Sequence, residues 1–370
     1  MDRVGIVGVG RVGSFVAYYL RGRGYDLRLL DVSERVRDLA GKLGVEYRVV
    51  DALSINDLRT ALSGVDVVVT AVPGSVGHEV VKNVVSLGYN VVDVSFFPED
   101  PGDIDELARR NKVLAVLDCG IGPGLTNLLV GRAYEKLGGL TEYRIYIGGI
   151  SEVYDPPFGV VLGFNPLDFI DEYRRPARYI ENGEVRVVDP LSGPTGRVFI
   201  EGVGELEFFH TDGLRSLIRS FPNVKFAAEY TLRWPGHVEF MRGLKKLGLL
   251  SHERLGCGVY ADECLASAIA SAAARSGMRD MTVLRVDACK DANCLVYTQV
   301  VKATSEWRAM ERATGSFLSY VTIELLQGRV KMDHGVVYPE KLAYLSDDIL
   351  SMYEKDGMPI SEKYAVVGRE

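Results

Sequence analysis

The first 120 residues alternate short apolar runs with segments of helical pattern, and this alternation limits the possible folds more than any other feature. The runs are rich in valine and leucine throughout, which is typical of parallel strands buried on both faces of a sheet. Parallel strands joined by right-handed helical crossovers form a doubly wound α/β domain, the Rossmann fold. The predicted strands lie near residues 3–8, 26–30, 46–50, 65–71, 90–94 and 113–117.

The pattern changes after residue 120. Polar and apolar residues then alternate, as in 142–150, and long helices are predicted over 263–276 and 306–326. Between these helices, strands over 282–288 and 295–301 flank a predicted hairpin turn at 290–293. This mixture is typical of an α+β domain with a mostly antiparallel sheet. We therefore predict a Rossmann domain over 1–120 and a second α+β domain over 121–335, and leave open whether segment 336–370 packs back on the first domain.

Composition excludes several classes of protein. A chain of 370 residues suits two domains. Its net charge of −7 argues against a nucleic-acid or anionic-membrane surface. Because no apolar run reaches the roughly 18 residues of a membrane-spanning helix, and the N-terminus lacks the parts of a signal peptide, we expect a cytoplasmic protein that binds neither nucleic acid nor membrane.

Two residue types bear on habitat and compartment. The five cysteines form no C-x-x-C pair, which favours buried reduced thiols, and we predict no metal site. The chain has only two glutamines, Gln299 and Gln327. Depletion of thermolabile amides favours a thermophilic source, although a GC-rich genome would also explain the low count.

The segment Gly8–Gly13 reads G-x-G-x-x-G between the first predicted strand and a helix. In that context the first glycine allows a tight turn, the second lets a pyrophosphate approach the backbone, and the third allows close helix–strand contact. Free amides and the helix dipole would then bind the phosphates. This predicts a dinucleotide site whose loop consists of Gly8, Gly10, Arg11, Val12 and Gly13.

Other cofactor contacts are expected where predicted strands end, because ligands lie at that edge of a doubly wound sheet. Asp31 ends the second strand and can accept from both ribose hydroxyls while repelling a 2′-phosphate, so we predict NAD rather than NADP. Nearby Arg35 could weaken that preference, and Asp51 is either an adenine contact or only a helix-leading residue. The last residue of the fourth strand, the two residues after it and one residue beyond the sixth strand complete the prediction, namely Ala71, Val72, Pro73 and Gly120.

The substrate side is indicated mainly by resemblance. Three stretches, Leu117–Gly131, Phe169–Gly193 and Thr231–Leu250, resemble the saccharopine dehydrogenase superfamily, and within it the lysine 6-dehydrogenases of bacteria and archaea. The likeness extends over essentially the whole chain. It implies a Rossmann domain, a second domain used for substrate binding and dimerisation, and nicotinamide-dependent chemistry at an amine carbon of lysine or a lysine adduct, in a homodimer.

One departure from the family pattern favours free lysine as substrate. Saccharopine reductases carry an acidic residue before the Pro-Gly of the turn at 122–125, whereas this chain has Gly122. They also tend to have an aromatic residue where this chain has His237. The expected reaction is NAD-dependent oxidative deamination of the ε-amino group of L-lysine to 2-aminoadipate 6-semialdehyde, with release of ammonia.

That chemistry requires a neutral amine, whose ordinary pKa is about 10.4, and a cation for the substrate carboxylate. Arg233 is the candidate carboxylate ligand, with a structural interdomain salt bridge as the alternative. His237 is either an acid–base group or a buried structural histidine. Asp93 and Asp118 end the fifth and sixth strands and are candidates for the base or the ammonium partner, or only orient loop amides. Lining residues suggested by position are Tyr173 and Asp212-Gly213-Leu214.

Two other functions stay open. A saccharopine or carboxyalkyl-polyamine dehydrogenase would join or split a secondary amine with the same domains. A non-catalytic NAD-sensing module would share the glycine motif and Asp31, but it does not account for the large second domain or the segment from Arg233 to His237.

Overall fold

The computed structural model describes residues 2–155, 158–161 and 166–366. The chain forms two compact units: unit 1 comprises Met1–Leu128 and Glu311–Met352, and unit 2 comprises Leu129–Met310 and Tyr353–Glu370. This division differs from the predicted one, because the long C-terminal helix lies mostly in unit 1 and the last strand lies in unit 2. Along the described ranges, no helix is long and apolar enough to cross a membrane.

Unit 1 contains a seven-stranded parallel sheet in the order β15-β6-β5-β4-β1-β2-β3. The strands from β1 to β6 have valine- and leucine-rich centres that are almost completely buried, apart from the exposed edge strand β3. The predicted doubly wound fold is thereby confirmed. The strands are β1 Arg3–Val7, β2 Asp26–Asp31, β3 Glu46–Val49, β4 Val67–Thr70, β5 Asn90–Asp93, β6 Leu114–Val116 and β15 Gly335–Val337.

Helices connect these strands and cover the sheet. Their buried residues recur at helical spacing, and valines of one helix pack with the valines of β4 and β5 in a single core. A 3-10 helix over Pro339–Leu345 follows β15. The α-helices of this unit are α1 Arg11–Gly22, α2 Val36–Leu43, α3 Ile55–Ala61, α4 Gly74–Ser86 and α5 Gly102–Asn111, together with most of α11 Ala309–Leu326 and of α12 Ser346–Lys355. Helix α6 Leu125–Leu137 has its first four residues in unit 1 and the others in unit 2.

Unit 2 contains a mixed, mostly antiparallel sheet with the main order β10-β11-β12-β7-β13-β14-β16, and β8 pairs with β12 and β9. Only β12 and β7 pair in parallel among these neighbours. The predicted α+β class is confirmed. The strands are β7 Glu142–Ser151, β8 Ala177–Glu181, β9 Glu184–Val188, β10 Thr195–Ile200, β11 Gly204–His210, β12 Phe226–Arg233, β13 Asp280–Lys290, β14 Asn293–Lys302 and β16 Ser361–Val366.

Several helices of unit 2 pack on one face of that sheet, around Phe169, Phe209 and Met241. They are α7 Pro166–Asp171, α9 His237–Lys246 and α10 Ala261–Ser276. The short helix α8 Leu217–Ser220 lies between β11 and β12 in the chain. The sequence analysis missed α9, although Val238 and Met241 have helical spacing and are both buried. It also placed the start of α11 three residues early. The Asp280 carboxylate accepts from the Ala309 and Met310 amides and fixes the start of that helix.

The prediction of five reduced cysteines is wrong. Cys289 and Cys294 are joined by a disulfide, while Cys119, Cys257 and Cys264 are free. The two bonded residues face each other across the β13–β14 hairpin, with their Cα atoms 4.1 Å apart. Because an antiparallel pair places opposite side chains this close, the predicted hairpin itself brings the two sulfur atoms together.

Candidate active site

The loop between β1 and α1 has the backbone that a dinucleotide site requires. Gly8 has φ +87°, and a side chain on it would meet Ala71 O at 2.5 Å. A side chain on Gly13 would lie 2.0 Å from Gly8 O, so helix and loop touch there. Gly10 instead has no atom within 4 Å of a would-be side chain. Two glycines thus pack the loop tightly, and the third leaves open space beside the N-terminus of α1.

The predicted positions on that loop differ in exposure. Arg11 is exposed and Val12 is half-buried at the start of α1, whose first turn carries no acidic residue. Gly10 is the N-cap and has no capping side chain. The N-terminal amides of α1 and the positive end of its helix dipole therefore favour an anion at this place. The residues present fit a dinucleotide pyrophosphate.

Asp31 ends β2 and binds this loop directly. One carboxylate oxygen accepts from the Val9 amide at 2.7 Å, and the other accepts from the Ser33 amide at 2.8 Å. Each oxygen keeps a further lone pair, so the carboxylate can still accept from ribose hydroxyls. Asp51 is exposed, and its carboxylate accepts from the Leu53 amide in the turn before α3. That contact is the helix-leading role considered for Asp51, and the adenine contact stays a prediction.

The segment from Ala71 to Pro73 leads from β4 into α4. The Ala71 amide donates to Val7 O, which continues the β1–β4 pairing past the end of the strand. Gly74 begins α4, and a side chain on it would lie 2.4 Å from Phe96 O. Val72 is half-buried and Pro73 is exposed. These residues lie at the carboxyl edge of the sheet, next to the glycine loop.

Asp93 and Asp118 both lie at this edge and are almost fully buried. Asp93 accepts from Thr70 Oγ1 at 2.5 Å and from the Ser95 amide at 3.0 Å. Burial raises the pKa of Asp93 to about 7, and the negative charge of Asp118 adds to this, while the bonds from Thr70 and Ser95 oppose it. A carboxyl group of this kind can accept or release a proton near neutral pH.

The turn after Asp118 holds these groups in place. Asp118 itself has φ +58°, and the Cys119 amide donates to Asp93 O at 2.8 Å. Burial raises the pKa of the Cys119 thiol well above its usual value, so this thiol stays protonated and serves for packing. Gly120 donates its amide to Pro123 O and packs closely against Gly124, which gives the glycine-rich turn its compact form.

In unit 2, Arg233 lies at the end of β12 and is 2% exposed. Its guanidinium is ion-paired with Glu172, donates from Nε to the Tyr173 hydroxyl at 3.1 Å, and donates from Nη1 to Leu232 O at 2.9 Å. Within the described part of the chain these bonds use three of its five N–H groups. Two N–H groups of a buried cation therefore remain for a ligand.

His237 begins α9 and is completely buried. Its Nδ1 lies 2.7 Å from Phe158 O, so that nitrogen carries the proton. The Tyr173 hydroxyl then donates to Nε2 of His237 at 2.8 Å and accepts from Arg233. This chain of hydrogen bonds satisfies both ring nitrogens and fixes the orientation of Arg233, which is the structural role considered for His237.

Three functional residues of unit 2 were missed by the sequence analysis. Glu207 accepts from the Gly236 and Val238 amides, and so caps α9 from the neighbouring strand β11. Glu172 is the partner of Arg233, and Glu229 lies buried on the same strand as Arg233. Glu172 precedes Tyr173 within a stretch that carries the family resemblance, so the motif could have drawn attention to it. Nothing in the local sequence distinguishes Glu229 from a surface glutamate.

Two family models match the chain. The saccharopine dehydrogenase C-terminal domain matches residues 120–358, and the saccharopine dehydrogenase NADP binding domain matches residues 4–116. The chain belongs to the saccharopine dehydrogenase family. The resemblance to the superfamily stated from the sequence is therefore confirmed, and the first domain matches the nucleotide-binding domain of this oxidoreductase family. The family model names NADP, so it does not support the predicted preference for NAD.

Individual relatives share limited identity. The alpha-aminoadipic semialdehyde synthase of Arabidopsis thaliana is 24% identical over 249 residues, covering 61% of this chain and 22% of that protein. The saccharopine dehydrogenase [NADP(+), L-glutamate-forming] of Schizosaccharomyces pombe is 24% identical over 212 residues, covering 54% of this chain and 47% of that protein. The matched regions thus span less than half the length of either relative.

A solved structure shares the fold over nearly the whole chain. The apo saccharopine dehydrogenase (L-Glu forming) of Saccharomyces cerevisiae superposes with a TM-score of 0.80 at 17% sequence identity, covering 99% of this chain and 100% of that one. At this identity the match supports the fold alone.

Proposed function

We propose that the protein catalyses NAD-dependent oxidative deamination of the ε-amino group of L-lysine. The observation that carries the proposal is the buried Arg233, which keeps two N–H groups for a carboxylate in an oxidoreductase of this family. Gly122, where saccharopine reductases carry an acidic residue, favours free lysine over a glutamate adduct. In the overall reaction, lysinium, NAD⁺ and water give 2-aminoadipate 6-semialdehyde, NADH, ammonium and one proton.

The cofactor would be held by the glycine loop, the N-terminus of α1 and Asp31. When bound, its nicotinamide ring supplies the two-electron acceptor. The chain's own residues do the remaining work: Arg233 orients the substrate carboxylate, and Asp93 takes the proton that the ε-ammonium must lose. Because proton transfer by a positioned group with a pKa near neutrality is efficient, the raised pKa of Asp93 suits that role.

A second candidate is a saccharopine dehydrogenase, favoured by the names of the relatives and of the matching solved structure. The decisive assay follows NADH formation at 340 nm with L-lysine alone and with saccharopine alone. Turnover of lysine supports the proposal. Turnover of saccharopine without lysine turnover would replace it with the second candidate, and tight NAD binding without oxidation of either amine would indicate a nucleotide sensor.

Asp31→Ala tests the predicted preference for NAD. The carboxylate would accept from the ribose hydroxyls and repel a 2′-phosphate. Its removal should therefore weaken NAD binding and lower the ratio of kcat/KM with NAD to kcat/KM with NADP about tenfold or more. Asp57→Ala, at an exposed position of α3, is the matched control. An unchanged ratio in Asp31→Ala would remove Asp31 from the ribose site.

Asp93→Asn tests the proposed base. Below about pH 7 the wild-type carboxyl holds a proton, so kcat should fall as the pH drops through that value, and the variant should lose this limb together with about 10²- to 10⁴-fold of kcat. The neighbouring groups Asp118 and Cys119 remain unchanged in the variant. A pH profile of the variant that keeps the limb near pH 7 would assign the base to another group.

The same substitution has a signature in stability. Folded wild-type protein holds the Asp93 proton between its ordinary pKa near 4 and about 7, whereas the unfolded chain has released it. As the pH rises through this window, the wild-type free energy of unfolding should therefore fall relative to that of Asp93→Asn by about 1.4 kcal/mol per pH unit. Urea unfolding of both proteins at pH 5, 6 and 8 measures that difference, which should level off above pH 7.

A further inference from the structure

One face of β12 carries a row of polar residues, Glu229, Thr231 and Arg233. Alternate residues of a strand point to the same side at steps of about 6.6 Å. The other face of the strand carries Ala228, Tyr230 and Leu232, which pack in an apolar cluster. The polar row therefore lies on the face that packs against Tyr173 and α9, where Arg233 makes its ion pair.

Glu229 is the least compensated member of this row. It is 4% exposed, and its Oε2 has no hydrogen-bond partner among the described residues. Its carboxyl group lies directly over Gly213, where a would-be side chain would come within 2.1 Å of three of its atoms. A buried carboxyl oxygen without a donor loses the hydrogen bonds that water would give it, so a donor group of a bound ligand would complete the bonding of Glu229.

Glu172 faces the same place from the turn after α7. Its carboxylate pairs with Arg233, and its negative charge is near enough to Glu229 to raise the pKa of that group. Burial is the main cause of that pKa of about 8, Asp212 also raises it, and Thr211 and Arg215 oppose it. Asp212 is itself paired with Arg178 through both carboxylate oxygens. Glu172 and Glu229 therefore present acceptors beside a guanidinium.

We propose that Glu172 and Glu229 bind the α-ammonium group of the amino-acid substrate, next to the α-carboxylate on Arg233. This inference rests on the proposed function. A zwitterionic head group places its ammonium and carboxylate on one carbon atom. Its carboxylate would meet Arg233, and its ammonium would meet the carboxylates of Glu172, which is paired with Arg233, and of Glu229, which lies two steps along the same face of β12. The site thus recognises the class of α-amino acids and rejects amines that lack either charge.

The proposal has a consequence for protons. Free protein holds a proton on Glu229 near neutral pH, and a bound ammonium stabilises the ionised carboxylate instead. Binding of the amino acid should therefore release up to one proton from Glu229 at pH 7. Calorimetric titration in two buffers of different ionisation enthalpy measures this release without any turnover.

The test compares three amines: L-lysine, 6-aminohexanoate, which lacks the α-ammonium, and cadaverine, which lacks the carboxylate. Glu229→Gln keeps the shape of the side chain and removes its charge. The Glu229→Gln variant should have a kcat/KM for L-lysine about 10- to 100-fold lower than the wild type, as expected for loss of a charge-assisted hydrogen bond. Its kcat/KM for 6-aminohexanoate should change less than about threefold. Discrimination against cadaverine should persist. Glu205→Gln, an exposed residue of β11, is the control.

The outcomes are distinct. Selective loss with lysine, together with loss of proton release in Glu229→Gln, supports the ammonium site. Equal effects on lysine and 6-aminohexanoate, or lysine binding with unchanged proton release, overturn it while the proposed function stands. If wild-type protein oxidises neither lysine nor saccharopine, the proposed function fails and the inference fails with it. Circular dichroism of each variant verifies that the fold is retained.

Discussion

Arg233→Ala is expected to lower kcat/KM for L-lysine by about a hundredfold or more, mainly through KM, while the Kd of NAD stays the same. A guanidinium binds a carboxylate through charge-assisted hydrogen bonds of about 1.5 to 3 kcal/mol each. The loss should therefore be among the largest from any single side chain of unit 2. Steady-state kinetics with lysine and fluorescence titration with NAD separate the two quantities.

The variant also affects folding, and the design must account for this. Removal of Arg233 leaves the half-buried Glu172 without its cationic partner. Breaking a fully buried pair costs about 3 to 5 kcal/mol, so the loss of this pair, whose glutamate side chain is 27% exposed, should cost less than that. The double variant Arg233→Met with Glu172→Gln restores charge balance and should recover most of that stability without recovering lysine binding. Arg197→Ala, an exposed arginine paired with Glu205, serves as a surface control. Equal loss of NAD and lysine binding in the double variant would leave Arg233 a purely structural residue.

Gly13→Ala is expected to abolish nucleotide binding and to destabilise unit 1. The added methyl carbon would lie 2.0 Å from Gly8 O. Neither the helix backbone that carries this methyl group nor the loop backbone that carries the oxygen can move without the other. Something must shift by an ångström or more, and overpacking of a close contact costs about 1 to 3 kcal/mol. A melting curve and an NAD titration would detect both effects.

Gly10→Ala separates binding from folding. The added methyl group meets no protein atom within 4 Å, so the melting temperature should stay within a few degrees of the wild-type value. The same methyl group would enter the space left for the pyrophosphate, and the Kd of NAD should rise about tenfold or more. Gly41→Ala on α2, also without contacts, is the control for a glycine substitution alone. Unchanged NAD affinity in Gly10→Ala would place the phosphates elsewhere.

The fold and the cofactor loop could be predicted because their signals are local. Buried runs of valine that alternate with helical segments along the chain specify parallel strands. The glycine spacing of residues 8–13 marks a turn between the first strand and the helix that follows it. The hairpin turn at Asp291 and Ala292 was likewise evident. The disulfide that spans it was missed because composition favoured free thiols, although the predicted pairing already placed Cys289 opposite Cys294.

The partners of Arg233 could not be predicted, because they depend on long-range packing. Glu172 and Tyr173 precede it by about sixty positions, and only the packing of the turn after α7 on β12 brings them together. The burial of Glu229 depends on Gly213 leaving room for its carboxyl group. Alternating polar residues in a strand indicate which side chains share one face of the sheet. They do not indicate whether helices bury that face.

The pairing of β15 with β6 joins residues more than 200 positions apart in the chain. During synthesis, the nucleotide-binding sheet consequently remains one strand short until the ribosome has passed residue 337. Closing so long an interval has an entropic cost, and contacts of high sequence separation form slowly. A nascent chain released near residue 128 would also lack α11 and expose an unpaired edge at β6. Until residue 337 has been made, the open edge of β6 is therefore available for pairing with another chain.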